Sequence, residues 1–173
     1  MNAVDATMTE LFLDFSRQKL FEQYWPRLRG CVQSLTQEQV WWRSNPASNS
    51  IGNLILHLNG NVGQYLVASF NRLPDARNRP AEFDATEEIP AGALLNQLGA
   101  TMQEAAQVLA RLTEADLLAS YEIQGRTVTG LYAVYQVVEY FGMHYGQILY
   151  IAKSLSGTDL GFSRELNRTG KAS

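Results

Sequence analysis

The chain reads as all-α, a four-helix bundle with one long crossover connection. Three observations predict it. Apolar residues recur at three- and four-residue spacings along four long segments. Helix-start signals, Thr36 and Ser50, precede a short turn and the second long segment. Only one short stretch, Tyr121 to Val128 with Gly125 near its middle, has the pattern of a strand pair.

The first segment runs from about Thr9 to Leu35, with Leu11, Phe12, Phe15, Leu28, Val32 and Leu35 on one stripe. Pro26 lies inside it, so a kink or a junction of two helices is expected there. Thr36, with Gln39 three residues on, forms a capping box for a short turn ending at Trp41 and Trp42. Residues 45–50 are a loop by composition, and Ser50 caps the second long helix, about Ile51 to Leu73. Its stripe is Ile51, Leu54, Ile55, Leu58, Val62, Tyr65, Leu66 and Ser69, and Pro74 closes it.

Residues 74–90 carry three prolines and no period. A 17-residue connection is long, which fits a crossover over the end of the bundle or a functional segment. The third helix runs from Pro90 to about Leu112 on a stripe of Leu94, Leu95, Leu98, Met102, Ala105, Leu109 and Leu112. The fourth runs from Gly130 to about Leu155, with Gly157 placed to end it. Residues 35–40 and 112–117 echo each other: each pairs Leu-Thr with acidic residues after a long helix, as two helix–turn–helix halves of a bundle would, or as ordinary helix ends do.

Composition sets limits. At 173 residues the chain is one domain, 1–173, with a core of about 8–156 and a polar, partly mobile tail from Asp159. Fourteen Lys and Arg against 17 Asp and Glu give a net charge of −3, without the basic patch that nucleic acid requires. No apolar run is long enough for a membrane span, and no basic, then apolar N-terminal segment marks a secretory signal. With a single cysteine, Cys31, on an apolar stripe, a cytoplasmic location and an inert thiol are expected.

Two histidines carry the candidate chemistry. His144 lies between the core positions Phe141 and Ile148, with Tyr140 one turn earlier; His57 flanks the stripe of the second helix. Two inward imidazoles on facing helices of a bundle can share a metal, and imidazole suits zinc, nickel or iron; they can equally be hydrogen-bonded core residues. Asn53, Asn61 and Gln64 share the flank near His57 and can orient its ring or a substrate. Glu139 is a candidate partner or ligand, or plain surface. No phosphate loop, nucleophile elbow or His-Glu-x-x-His motif is present.

The run Val138-Glu139-Tyr140-Phe141-Gly142-Met143-His144-Tyr145-Gly146-Gln147-Ile148 resembles the last-helix signature of the DinB-like superfamily, His-x-x-x-His-x-Gly-Gln-Ile, and Ile55-Leu56-His57-Leu58 resembles the context of that family's other metal histidine. The continuation through Lys153 is similar to a branch catalogued as a domain of unknown function. The resemblance implies a three-histidine site for a divalent metal at one end of the bundle, often in a homodimer, serving thiol-dependent transferases or hydrolases. Carried over residue by residue, it makes His57 and His144 ligands, puts Tyr140 where the family has histidine, and leaves Asn53, Asn61, Glu139 and Gln147 around the pocket. A free phenol holds its proton to about pH 10 and competes poorly as a ligand.

Two functions follow. One is a divalent-metal-dependent transferase or hydrolase acting on a small molecule, with an altered metal site. The other is a non-catalytic, dimeric binding or stress-related protein whose metal site has degenerated. A dimer would cover Phe21, Tyr24, Tyr132 and Tyr135, were they on the outer faces of helices one and four.

Overall fold

A computed structural model describes residues 6–86, 89–157 and 161–162. Four long helices form a helical bundle. The first is a continuous run of α1 (Met8–Arg17), a π-helical stretch (Gln18–Tyr24) and α2 (Trp25–Gln33). Thr7 starts it with a capping box to Glu10. Pro26 neither breaks nor splits it. Proline offers no N–H and its ring crowds the carbonyl four residues back; the wider π turn immediately before it, with Trp25 N–H bonded to Leu20 O, keeps the backbone helical through that point.

The short α3 (Gln37–Trp41) follows, capped by Thr36 with Gln39 as expected. The second long helix comprises α4 (Ile51–Val62), a second π-helical stretch (Gly63–Ala68) and α5 (Ser69–Asn71). Ser50 caps it, and it ends at Arg72 in a left-handed conformation, leaving Leu73 outside. The crossover is not structureless: it holds α6 (Arg79–Asp84), capped by Asn78 with Pro80 in its first turn. The third long helix is α7 (Ala91–Arg111), followed by α8 (Glu114–Leu118), which Thr113 caps with Asp116. The two echoing segments are thus both short capped helices.

The strands β1 (Ser120–Ile123) and β2 (Arg126–Thr129) pair antiparallel, Ser120 opposite Thr129 and Ile123 opposite Arg126. Both residues of the tight turn, Gln124 and Gly125, have positive φ (54° and 71°), as a right-twisted two-residue hairpin demands. The last helix, α9 (Gly130–Ser156), ends on a left-handed Gly157 (φ 62°). Apart from residues 161–162, the tail from Asp159 lies outside the described residues.

The first long helix packs on the third and fourth, and the second packs on the same two. The apolar stripes of helices two and three are buried as expected, Ser69 only partly so, and helix four buries Val134, Val137, Phe141, Ile148 and Ala152. Helix one departs from its reading. In its first half Phe15 is 62% exposed and the buried positions are Leu13, Ser16 and Leu20, a face rotated by one residue, whereas in the second half Leu28 and Val32 are buried as expected. Ser16 is tolerated inside because its hydroxyl donates to Phe12 O, 2.7 Å. Tyr24 is not on an outer face either. Its ring stacks on Phe141 (6.2 Å, 7°) and reaches Tyr145 (5.3 Å), over Gly142, where a Cβ would lie 3.2 Å from the Tyr24 hydroxyl. Tyr132 and Tyr135 are exposed. Burial pushes the Cys31 thiol up to about 11, so it stays protonated and inert. No helix of the described residues is long and apolar enough to cross a membrane.

Trp41 plugs the bundle end. Its indole lies on Gly52 and its Nε1–H donates to Ile89 O at 3.0 Å; Trp42 stays exposed. A Cβ on Gly52 would stand 2.9 Å from three indole carbons. Gly52→Ala is therefore expected to cost about 1–3 kcal/mol by overpacking, read as a lower urea midpoint with an unchanged slope.

Candidate metal centre

The second helix, the crossover and the fourth helix bring the site together. His57, 2% exposed, projects from α4 beside Tyr140 and His144 of α9. Its ring centroid lies 4.9 Å from that of His144, edge to face, and 5.6 Å from that of Tyr140; the rings of Tyr140 and His144 are 4.8 Å apart. All three residues that the sequence assigns to the metal are in mutual contact.

Glu82, which the sequence reading missed, fixes His57. Its Oε2 lies 2.7 Å from His57 Nδ1, closer than Arg77 Nη2 at 3.1 Å, and a buried carboxylate at the shorter distance favours the tautomer with the proton on Nδ1. Arg77 clamps the same carboxylate from the other side, Nε to Oε1 at 2.7 Å and Nη2 to Oε2 at 2.9 Å, a two-pronged bond between buried groups. Burial alone would raise the Glu82 pKa; hydrogen bonds and charge from His57 and Arg77 outweigh it and hold the carboxyl below its usual range. Gly60 makes room for the pair: a Cβ there would lie 2.0 Å from Glu82 Oε1 and 2.8 Å from Arg77 Nε.

Asn53 acts at one remove. Its Nδ2 donates to the carbonyls of Glu82 (3.0 Å), Phe83 (3.3 Å) and Ala85 (3.0 Å), the open C-terminal end of α6. Its Oδ1 accepts from Arg43 Nη2 at 2.7 Å and Ser50 Oγ at 2.6 Å. Asn53 therefore pins α6 to α4 and places Glu82, without touching the ring. Gln64 holds the Arg77 end: its Oε1 accepts from Arg77 Nη1 (3.0 Å) and Gln124 Nε2 (2.8 Å), and its Nε2 donates to Asp75 (2.5 Å). It sits in the second π-helical stretch, an irregularity that recurs at functional sites.

His144 is held differently. Its Nδ1 lies 2.9 Å from Gln147 Oε1, a pure acceptor, so Nδ1 carries the proton and Nε2 a lone pair. Nε2 is buried and without a hydrogen-bond partner among the described residues. Burial lowers the His144 pKa and keeps the ring neutral, the state a ligand needs. Glu139 is exposed and reaches His144 only through its charge. Asn61 is buried, its Oδ1 also unpartnered among the described residues.

These residues fit a divalent cation through two donors: imidazoles whose Nδ1 atoms are each held by a second group, as those of metal-bound histidines are. The orphaned Nε2 of His144 is the atom that such an ion would satisfy. The third side is a phenol, and among the described residues no group of three His, Cys, Asp or Glu side chains could hold a metal. The donor set is therefore weaker than three imidazoles.

The sequence carried a signal for the helix that bears Glu82, though none for its contact with His57. Asn78 before Pro80 is a cap-and-proline helix start inside the crossover, and a helix there places Glu82 one turn in. Because its folded pKa is depressed, Glu82 contributes stability that is complete above the ordinary glutamate value of about 4.3 and is lost as pH falls through the folded value. In chelator-treated protein, Glu82→Gln is expected to lower the urea midpoint at pH 7 and to flatten its fall below about pH 4.3; an acid limb as steep as in the native chain would refute this account.

A family described as "Protein of unknown function (DUF1572)" matches residues 7–163. No curated protein matches the chain. Among solved structures, the crystal structure of a DinB-like protein from Bacillus cereus is similar, with a TM-score of 0.59 and 14% identity over 79% of this chain and 88% of that one. That likeness shows the fold, an all-α DinB-like helical bundle. The chain belongs to the DUF1572 family, and its fold is that of a DinB-like protein.

Proposed function

We propose that the protein is a divalent-metal-dependent transferase or hydrolase of a small molecule, working at His57, His144 and Tyr140. One observation carries the reading: a buried, partnerless His144 Nε2 beside a His57 whose other nitrogen is already committed to Glu82. His57 and His144 would hold zinc, nickel or iron. A bound ion would supply a thiol or water activated as a nucleophile at neutral pH. Glu82 keeps the His57 ring turned with Nδ1 away from the ion, and Arg77 keeps Glu82 ionised. Gln147 does for His144 what Glu82 does for His57. Tyr140 closes the third side, where its hydroxyl can hold or give a proton.

A second reading has its own support, the phenol in the place of a third imidazole: a binding protein with a degenerate site. Elemental analysis of the untagged protein separates the two. About one divalent ion per chain is expected, lost in His57→Ala and His144→Ala, with affinity raised about tenfold or more in Tyr140→His, since second-sphere and ligand changes at such sites move affinity by that order. Sub-stoichiometric metal that zinc or nickel does not restore would overturn the enzyme reading.

The exposed Tyr132 and Tyr135 support a further proposal, that two copies associate through this face. Light scattering at micromolar concentration is expected to give twice the chain mass; the mass of one chain would remove it.

A further inference from the structure

The cavity beside His57, of about 210 Å³, is bordered by a second buried phenol that the site described above does not use. His57, Asn61 and Tyr65 follow one another at four-residue spacing on the second long helix, so they share a face, and all three line the cavity. Gln136 and Tyr140, also four residues apart, face them from α9, and Arg77, Arg79 and Gln124 complete the wall. Tyr65 stands in the second π-helical stretch.

Tyr65 is 9% exposed, and its ring belongs to the apolar core. Its hydroxyl has no hydrogen-bond partner among the described residues. It is not sealed off as Asn61 Oδ1 is: the oxygen keeps accessible surface, and the space it borders is the cavity. Burial, and then the neighbouring Tyr132, push its pKa above the ordinary tyrosine value against the pull of Arg77 and Arg126, so the phenol stays a donor at neutral pH. For the fold alone this hydroxyl is a cost. A buried polar group without a partner gives up bonds to water and gains none, and phenylalanine would pack the same ring without it. What the hydroxyl can do is bond a molecule in the cavity.

We propose that Tyr65 is a substrate-binding residue of this site, its hydroxyl donating to the carbonyl oxygen of a small, uncharged amide or ester held between Tyr65 and the cluster of His57, His144 and Tyr140. The charge of the wall selects the neutral class. Asn61, Gln136 and Tyr140 are uncharged, no carboxylate lines the cavity, and the charge of Arg77 is cancelled by Glu82. Arg79 is exposed and lies over the Phe83 ring at 5.1 Å. The assignment names the substrate class for the site proposed above and rests on that site being the working one.

The test is an NMR titration of the chelator-treated full chain, labelled with carbon-13 at the tyrosine ζ carbons, with acetamide as the probe. The Tyr65 signal is the one missing from Tyr65→Phe. It is expected to move as acetamide is added, while that of the exposed Tyr135 stays in place. Tyr65→Phe is expected to bind acetamide about fivefold more weakly, the loss of one hydrogen bond, with zinc uptake and urea midpoint as in the native chain. Acetate, close to acetamide in size, is expected to bind the native chain more weakly than acetamide does. A Tyr65 signal that does not move overturns the proposal, whether or not the variant folds. So does equal acetamide affinity in the two chains, or acetate bound more tightly than acetamide. A clear fall in the urea midpoint of Tyr65→Phe overturns it as well, because the hydroxyl would then have a partner inside the protein; a loss of zinc uptake would assign the hydroxyl to the metal instead. Acetamide binding that depends on Tyr65, in a chain that takes up no metal, overturns the metal reading and leaves this one standing; metal uptake without that dependence does the reverse.

Discussion

The site depends on one buried charge pair. Arg77 and Glu82 are both drawn from the crossover, and neither belongs to a long helix. A guanidinium and a carboxylate out of water are each costly, and the cost is offset only when geometry is good and remaining hydrogen-bonding positions are filled. Here both conditions hold: two parallel bonds join the pair, His57 takes a third position on the carboxylate and Gln64 a further donor of the guanidinium. The absent side chain of Gly60 lets the pair lie against α4. Remove either partner and the other is left buried and alone, while His57 loses the group that sets its tautomer.

The crossover is therefore a working part. Asn53 ties the open end of α6 to α4, Trp41 and Gln37 bond Ile89 O at its far end, and Arg43 adds a strap to Phe83 O. A surface loop of ordinary mobility could not hold a carboxylate to hydrogen-bond tolerance against a buried ring. These bonds fix α6 and Ile89 against the helices they cross.

The sequence made the architecture legible because burial repeats. Stripes at helical spacing located all four long helices, and Ser50 placed the start of the second. Phe15 was misjudged because near a helix end a large apolar residue can face solvent while a serine, bonded to its own backbone, turns inward. The two imidazoles and Tyr140 were legible because one helical turn separates Tyr140 from His144 and the resemblance paired them with His57. Arg77 and Glu82 were not. Their contact with His57 spans 20 and 25 residues through a segment without periodicity, and no spacing rule reports a contact of that kind. Asn53 shows the same limit in another form: sequence placed it beside the ring, whereas its three carbonyl partners depend on where α6 docks.

The Arg77–Glu82 pair has a further consequence, in the currency of charge balance. Its two charges cancel, and each imidazole has its Nδ1 committed to a neighbour, His57 to Glu82 and His144 to Gln147. The ring cluster thus offers a cation lone pairs but no net negative charge; the next carboxylate, Glu139, is out in solvent. A divalent ion seated there would leave its charge uncompensated unless an anion came with it. Occupancy by cation and anion would then be thermodynamically linked, each raising the affinity for the other by the same factor.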